Sequence, residues 1–138
     1  MKLKPLISDN ICEILVKIIE FTNTRQKILT ENINKIYKSG FIPKDLAVDE
    51  FSGLLHSAIE EHIRNRRLVL CDTENIKFGI DGSIKVEPVE DKSAEILFKE
   101  KKEEYLELQI NKLLENSINQ RFAAELLKYK QQMVPIGE

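Results

Sequence analysis

The side chains best suited to chemistry are two histidines and the carboxylates beside them. His56 and Glu60 are four residues apart, which places them on one face of a helix, and Glu61 is adjacent. Imidazole and carboxylate groups bind metals and transfer protons. His62 lies six residues from His56, so the two rings would not share a helix face. Two ligands on one helix make a weak metal site, so the interpretation is a surface cluster, with metal binding as the alternative.

The two cysteines, Cys12 and Cys71, lack the spacing of a metal site, and neither has a histidine next to it in sequence. Cys12 follows Ile11 in an apolar pattern and is predicted to be a small core residue. The five glycines are scattered and form no phosphate-binding loop, and no serine sits in a nucleophile elbow. The sequence therefore does not support an enzyme, and we expect no cofactor, metal or small-molecule substrate.

The charge distribution does not favour nucleic acid. The formal net charge is −2, and charges of both signs alternate along the chain. The cluster Arg64, Arg66 and Arg67 is short and interrupted, which is typical of a solvated helix end. The first apolar stretch contains Asp9 and Glu13, which make it too polar for a cleaved signal peptide, and no run reaches transmembrane length.

Two long amphipathic segments lie at opposite ends of the chain. We predict one helix from Ser8 to Lys38, with its N-cap among Ser8, Asp9 and Asn10, and another from Ser93 to about Gln132. The first stripe contains Ile11, Ile14, Ile18, Phe21, Ile28 and Asn32, interrupted by Arg25; the second contains Leu106, Ile110, Leu113, Ser117, Gln120, Ala124 and Leu127. Such stripes need another helix to cover them, so we expect the two chain ends to pack together.

The middle of the chain changes its periodicity. Gly40 is expected to take a left-handed conformation at the end of the first helix, and Asp45 is expected to cap a second helix that ends near Asn65. An extended segment is predicted for residues 68–71. Asp81-Gly82 separates two alternating runs, a strong signal for a β-hairpin over residues 76–86. A polar connector is predicted for residues 87–93.

The last helix has a predicted weak point in the charged run from Lys99 to Glu104, and it is expected to end before Pro135. Three polar residues, Arg25, Asn32 and Asn116, lie on or beside the apolar stripes. They either sit half in water at an edge or set the register between helices. The predicted fold class is mainly α, with long terminal helices packed as a helical hairpin or coiled coil, a shorter middle helix and a small β-hairpin. We predict one domain, residues 1–138, divided at 40 and 92.

Both chain ends carry motifs of a known family. The N-terminal motifs are Arg25-Gln26, Ile28-Leu29, Asn32-Ile33, Gly40-Phe41 and Lys44-Asp45-Leu46; the C-terminal ones are Leu114-Glu115-Asn116-Ser117 and Leu126-Leu127. Their order and spacing resemble those of the flagellar basal-body rod proteins, in particular the proximal-rod B-type subunit. The chain departs from the family pattern at Lys35, at Lys38-Ser39 and over the run from Lys99 to Glu104.

The resemblance implies a structural subunit of the bacterial flagellar proximal rod. The rod spans the periplasm, and its subunits are exported without a cleaved signal peptide. The implied partners are other rod subunits and the export-gate or membrane-ring base, with self-association through the terminal helices. The residues expected to carry packing and assembly are Arg25, Ile28, Asn32, Ile33, Gly40, Phe41, Asn116, Leu126 and Leu127. The alternatives are a free-standing helical hairpin that dimerises or recruits a partner, and an enzyme or metal protein built around His56, Glu60 and Glu61.

Overall fold

The computed structural model describes the backbone of residues 3–136 and the side chains of residues 10–133. The order of elements is α1 (Leu3–Asn34), β1 (Lys44–Asp45), α2 (Val48–Asn65), β2 (Ile76–Phe78), β3 (Ile84–Val86), β4 (Val89–Glu90), α3 (Lys92–Glu100) and α4 (Lys102–Ile136). α1 and α4 pack along each other as an antiparallel pair. The predicted fold class, mainly α with paired terminal helices and a small β-hairpin, is confirmed.

The first helix differs from its prediction at both ends. α1 begins at Leu3, so the predicted N-cap residues 8–10 lie inside the helix. It ends at Asn34, before Lys38, because the chain leaves the helix through successive turns in which Lys38 N–H donates to the Lys35 carbonyl at 3.0 Å. Gly40 has φ +79°, the left-handed conformation expected for it, although it lies beyond the helix end.

Asp45 does not cap the second helix, and that prediction is wrong. α2 begins at Val48, and the residue at its N-cap is Ala47, which makes no side-chain capping bond. Asp45 lies instead in β1, where it pairs with Val89 of β4. Its carboxylate is occupied by the guanidinium of Arg25, which the sequence pattern had not linked to it.

The β-hairpin forms where Asp81-Gly82 predicts it. β2 and β3 pair antiparallel, and Gly82 has φ +84°, a conformation that glycine adopts without the penalty of a Cβ. The Asp81 carboxylate accepts a hydrogen bond from the Ser83 N–H at 3.1 Å, which closes the turn. Residues 68–71, predicted as extended, are irregular and pair with no strand among the described residues.

The connector of residues 87–93 contains structure that the sequence analysis missed. Val89–Glu90 forms β4, and Asp91 caps α3 by accepting from the Ala94 N–H at 3.1 Å. The predicted weak point is a real break, because α3 ends at Glu100 and α4 starts at Lys102. α4 continues past Pro135 to Ile136, which contradicts the predicted end; a proline in the last turn removes only one terminal hydrogen bond.

Two apolar clusters hold the middle of the chain against the terminal helices. The larger centres on Phe21 and Phe51, whose rings stack with centroids 4.0 Å apart, and it includes Ile76 of the hairpin. The smaller contains Phe98 and Tyr105 and fastens α3 to the start of α4. Among residues 3–136, no helix is both long enough and apolar enough to span a bilayer.

Candidate assembly surface

A chain of buried and half-buried charges joins four separate segments of the protein. Arg25 of α1 grips Asp45 of β1 through two bonds, Nε to Oδ1 at 2.8 Å and Nη2 to Oδ2 at 3.0 Å. Lys112 of α4 reaches the same carboxylate at 3.1 Å and the carboxylate of Asp91 at 2.6 Å. Bidentate geometry and full pairing offset the cost of removing these charges from water. The network thus fixes where β1 and the start of α3 lie relative to both long helices.

The two cations control the ionisation of Asp45. Burial by itself raises the pKa of a carboxyl group, but the hydrogen bonds and charge of Arg25, together with the charge of Lys112, outweigh burial and hold the pKa of Asp45 below its ordinary value of 3.8. The Leu46 N–H adds a further bond to the carboxylate at 2.7 Å. Asp45 therefore stabilises the fold in its charged form.

Acid should remove this stabilisation. Because the pKa of Asp45 is lower in the folded state than in the unfolded chain, its contribution is complete above about pH 4 and is lost as the pH falls through the folded-state pKa. We expect the difference in unfolding free energy between wild type and Asp45→Asn to be constant from pH 5 to pH 7 and to shrink below pH 4. Urea unfolding across this range measures it; a difference that persists unchanged at pH 2 would contradict the assignment.

Asn32 is the centre of a second polar contact between the long helices. Its amide Nδ2 donates to the Lys44 carbonyl at 2.7 Å and to Gln109 Oε1 of α4 at 2.9 Å. The Tyr105 hydroxyl donates to the Asn32 carbonyl at 2.9 Å, and burial raises the pKa of that hydroxyl to about 12. Asn32 is only 1% exposed, so it lies inside the α1–α4 contact and not at an edge. Gln109 Nε2 is buried and has no hydrogen-bond partner among the described residues.

Two further side chains of α4 bond to α1 closer to its N-terminus. The Asn116 amide, 1% exposed, donates to the Thr22 carbonyl at 2.8 Å. Gln120 donates to the Asn23 side chain one turn further along. We call Arg25, Asn32, Gln109, Lys112 and Asn116 the polar layer. Each amide bond needs one alignment of the helices, because a shift by one residue would leave a buried polar group unpaired.

The face of α4 that meets α1 is not the one that the apolar spacing predicted. Three members of the predicted stripe, Ile110, Ser117 and Ala124, are exposed, whereas Gln109 and Asn116 are buried. The physical reason is that α4 has apolar residues around most of its circumference, so periodicity alone does not identify the buried side. The side of α4 that faces α1 is the one whose Gln109 and Asn116 form hydrogen bonds with α1.

The opposite face of α4 carries a row of large apolar side chains in solvent. Their exposed fractions run from 37% for Leu126 to 68% for Ile118. We call this row the outer stripe; its members are Ile110, Leu114, Ile118, Phe122, Leu126, Tyr129 and Met133. At roughly 200 Å² for a large apolar residue, these fractions correspond to on the order of 800 Å², more than the largest apolar patch of a typical monomer. Exposed apolar patches of this size are typical of surfaces that contact another molecule.

The other residues expected to carry packing are divided between the interior and the surface. Ile28 and Ile33 of α1 are half-buried, and so is Leu127 of α4. Leu126 points outward and belongs to the outer stripe. Phe41, next to Gly40, is half-buried and lies 5.9 Å from Phe98 between ring centroids, so this corner of the chain is fastened to α3.

The histidines, cysteines and arginines singled out in the sequence have different surroundings in the described part of the structure. His56 Nε2 lies 3.4 Å from Glu60 on the surface of α2, whereas His62 is buried. Among the described side chains, no three His, Cys, Asp or Glu residues are placed to hold a metal. The arginine cluster is used locally: Arg67 pairs with Glu61, and Arg66 bonds the carbonyls at the end of α2. Cys12, predicted to be a small core residue, is half-buried.

A shallow groove opens beside the polar layer at the start of α2. Arg25, Asp45 and Lys112 line its floor, and the first turn of α2 forms its wall. Arg25 and Lys112 both pair with Asp45, so these three charges are engaged within the protein.

Comparison with models of protein families, with curated proteins and with solved structures finds no match to this chain.

Sequence reasoning missed the most important partners in the polar layer. The sequence patterns single out Arg25, Asn32 and Asn116 but not Asp91, Gln109 or Lys112. They assign Asp45 to a helix cap and a family motif, not to an ion pair. The available signal was the placement of Gln109 and Asn116 seven residues apart, two helical turns, on a helix with Lys112 between them. Polar residues at this spacing, on a helix that must pack, predict a polar contact with another helix. The spacing alone does not identify which helix that is.

Proposed function

We propose that this protein is a structural subunit that assembles with other helical proteins through α4, and that the assembly is the proximal rod of the bacterial flagellar basal body. The outer stripe is the observation that carries the first part. The second part is carried by the motifs at the two chain ends, which resemble those of B-type rod subunits. On this proposal the partners are other rod subunits and the base of the rod.

The α4 residues of the polar layer and those of the outer stripe lie on opposite faces of the helix and have different roles in this proposal. The polar layer sets one alignment of α1 and α4, and this alignment leaves the outer stripe facing away from the molecule. Covering the stripe with another helix removes apolar surface from water, which is the main driving force for association. A contact between different surfaces of successive copies propagates when the rotation between them does not close, which suits a tubular structure.

A lysine in the outer stripe should prevent assembly without unfolding the subunit. Ile118→Lys places a charge at the centre of the stripe, where a partner helix would have to desolvate it. We expect at least tenfold weaker co-assembly with the other rod subunits of the same bacterium, measured by pull-down, and no motility when the variant replaces the wild-type gene. The melting temperature should not change by more than the effect of an ordinary surface substitution.

Ile63→Lys is the matched control, because Ile63 is 61% exposed on α2, against 68% for Ile118, and lies outside the stripe. It should assemble and support motility like the wild type. Full assembly of Ile118→Lys would contradict the role of the stripe. If the purified chain forms a defined small oligomer and binds no rod subunit, the alternative function, a free-standing helical hairpin, is favoured.

A further inference from the structure

The outer stripe is nearly symmetric about its central residue. Leu114 and Phe122 each lie four residues from Ile118, and Ile110 and Leu126 each lie eight residues from it. Residues four apart are neighbours along a helix, so these five side chains form one continuous ridge. A second copy running in the opposite direction therefore presents the same succession of large apolar side chains.

The polar residues along the same side of α4 are complementary about the same point. Asn111 and Glu125 each lie seven residues from Ile118, which places them within about 20° of its direction on the helix. An antiparallel copy centred on Ile118 brings the Asn111 amide opposite the Glu125 carboxylate. It also brings Glu107, eleven residues before the centre, level with Tyr129 and within one residue of Lys128, ten residues after the centre. Lys128 leaves α4 about 80° from the direction of Ile118, so its long side chain would approach Glu107 from the edge of the contact.

A parallel copy in register lacks this complementarity. It would set Glu107 against Glu107 and Glu125 against Glu125, and like charges opposed across an interface disfavour association. All four flanking residues, Glu107, Asn111, Glu125 and Lys128, are exposed and are available for such contacts.

The symmetric part of the outer stripe has enough area for a specific dimer. At about 200 Å² for a large apolar residue, the five residues centred on Ile118 expose roughly 500 Å² in one molecule. Two copies that cover each other would thus bury roughly 1,000 Å², the lower bound for a specific protein interface.

We propose that the outer stripe binds the outer stripe of a second copy of this chain, antiparallel and two-fold symmetric about Ile118. This inference rests on the proposed function in one respect, namely that the outer stripe is an assembly surface. In the free protein, a second copy of the chain covers that surface. An isologous contact closes, so the dimer covers the stripe and stops further growth. Assembly into a larger structure then requires exchange of the second copy for a different helix.

Cysteine cross-linking tests the orientation. In a background with Cys12 and Cys71 replaced by alanine, Ile118→Cys should oxidise to a covalent dimer, because this residue meets itself at the two-fold axis. Asn111→Cys alone and Glu125→Cys alone should not cross-link, since equivalent residues lie 14 positions apart along the helix, about 21 Å. An equimolar mixture of these two variants should cross-link.

Charge reversal provides a second measurement that leaves the stripe intact. Glu107→Lys and Lys128→Glu each create two like-charge contacts in the antiparallel dimer, and we expect each to weaken dimerisation about tenfold at low salt. The double variant restores opposite charges and should dimerise within about twofold of wild type. Sedimentation equilibrium of the wild type and the three variants gives the four dissociation constants.

Two results would overturn the proposal: a wild-type chain that stays monomeric at the highest measurable concentration, or self-cross-linking of Asn111→Cys, which indicates a parallel arrangement. Neither would affect the proposed function, which is judged by co-assembly with rod subunits. Conversely, if the chain dimerises as described but binds no rod subunit, the dimer proposal is supported and the proposed function is contradicted.

Discussion

Arg25→Met should destabilise the fold by about 3–5 kcal/mol, because it removes one partner of a buried ion pair and leaves the other in place. Arg25 is 5% exposed and supplies two of the hydrogen bonds to Asp45. Methionine fills a similar volume, so the loss reports the charge and the bonds more than a cavity. For a domain whose total stability is typically 5–15 kcal/mol, this is a large fraction, and urea unfolding followed by circular dichroism measures it.

The double variant Arg25→Met with Asp45→Asn is the control. Asparagine is neutral, and its single side-chain oxygen can still accept either from the Leu46 N–H or from Lys112, which bond to different oxygens of the carboxylate. Because no uncompensated charge is left beside the missing guanidinium, part of the loss should be recovered. Two outcomes would refute the importance of the pair: a single variant within 1 kcal/mol of wild type, or a double variant that is less stable than the single one.

Phe51→Ala is expected to cost a similar amount, about 3–5 kcal/mol, for a different reason. Phe51 is 5% exposed and stacks on Phe21 of α1 with an angle of 1° between the ring planes. This stack joins α2 to α1, so truncation leaves a cavity at the centre of the larger apolar cluster. Chemical denaturation at low protein concentration gives the loss in unfolding free energy.

Phe122→Ala is the matched comparison, since it removes the same atoms from a side chain that is 65% exposed in the outer stripe. It should change the unfolding free energy of the isolated subunit by no more than about 0.5 kcal/mol, and it should weaken association instead. If both variants lost the same stability at low concentration, Phe122 would be part of the folded core and the stripe would not be a free surface.

The arrangement of α4 separates folding from assembly. Hydrogen bonds hold α4 against α1, and ion pairs link both helices to Asp45. The large apolar residues of the outer stripe remain outside, whereas Tyr105 at the start of α4 is buried. Buried polar contacts add little net stability compared with apolar packing, but they penalise misalignment strongly. The chain therefore keeps a defined alignment of its long helices and leaves the apolar surface of the outer stripe exposed. This division is the physical basis of both the proposed function and the proposed dimer.

Local signals in the sequence predicted most elements correctly. The β-hairpin at Asp81-Gly82 depends on a turn that two adjacent residues encode, and the break at Lys101 lies in the charged run where like charges weaken a helix. The long helices follow from a three- and four-residue periodicity sustained over many turns. Helix ends were predicted less well, as at Leu3 and Ile136, because the last turn costs few hydrogen bonds and depends on its surroundings.

The sequence by itself determined the fold class, the hairpin and the existence of two long helices that need partners, since these follow from contacts between residues close in the chain. The tertiary structure alone decided which side of α4 faces α1 and what Asp45 does. Asp45 is a residue type that often caps helices. Its carboxylate instead accepts hydrogen bonds from Arg25, twenty residues earlier, and from Lys112, 67 residues later. Such choices depend on contacts between distant segments, whose energies no local pattern contains.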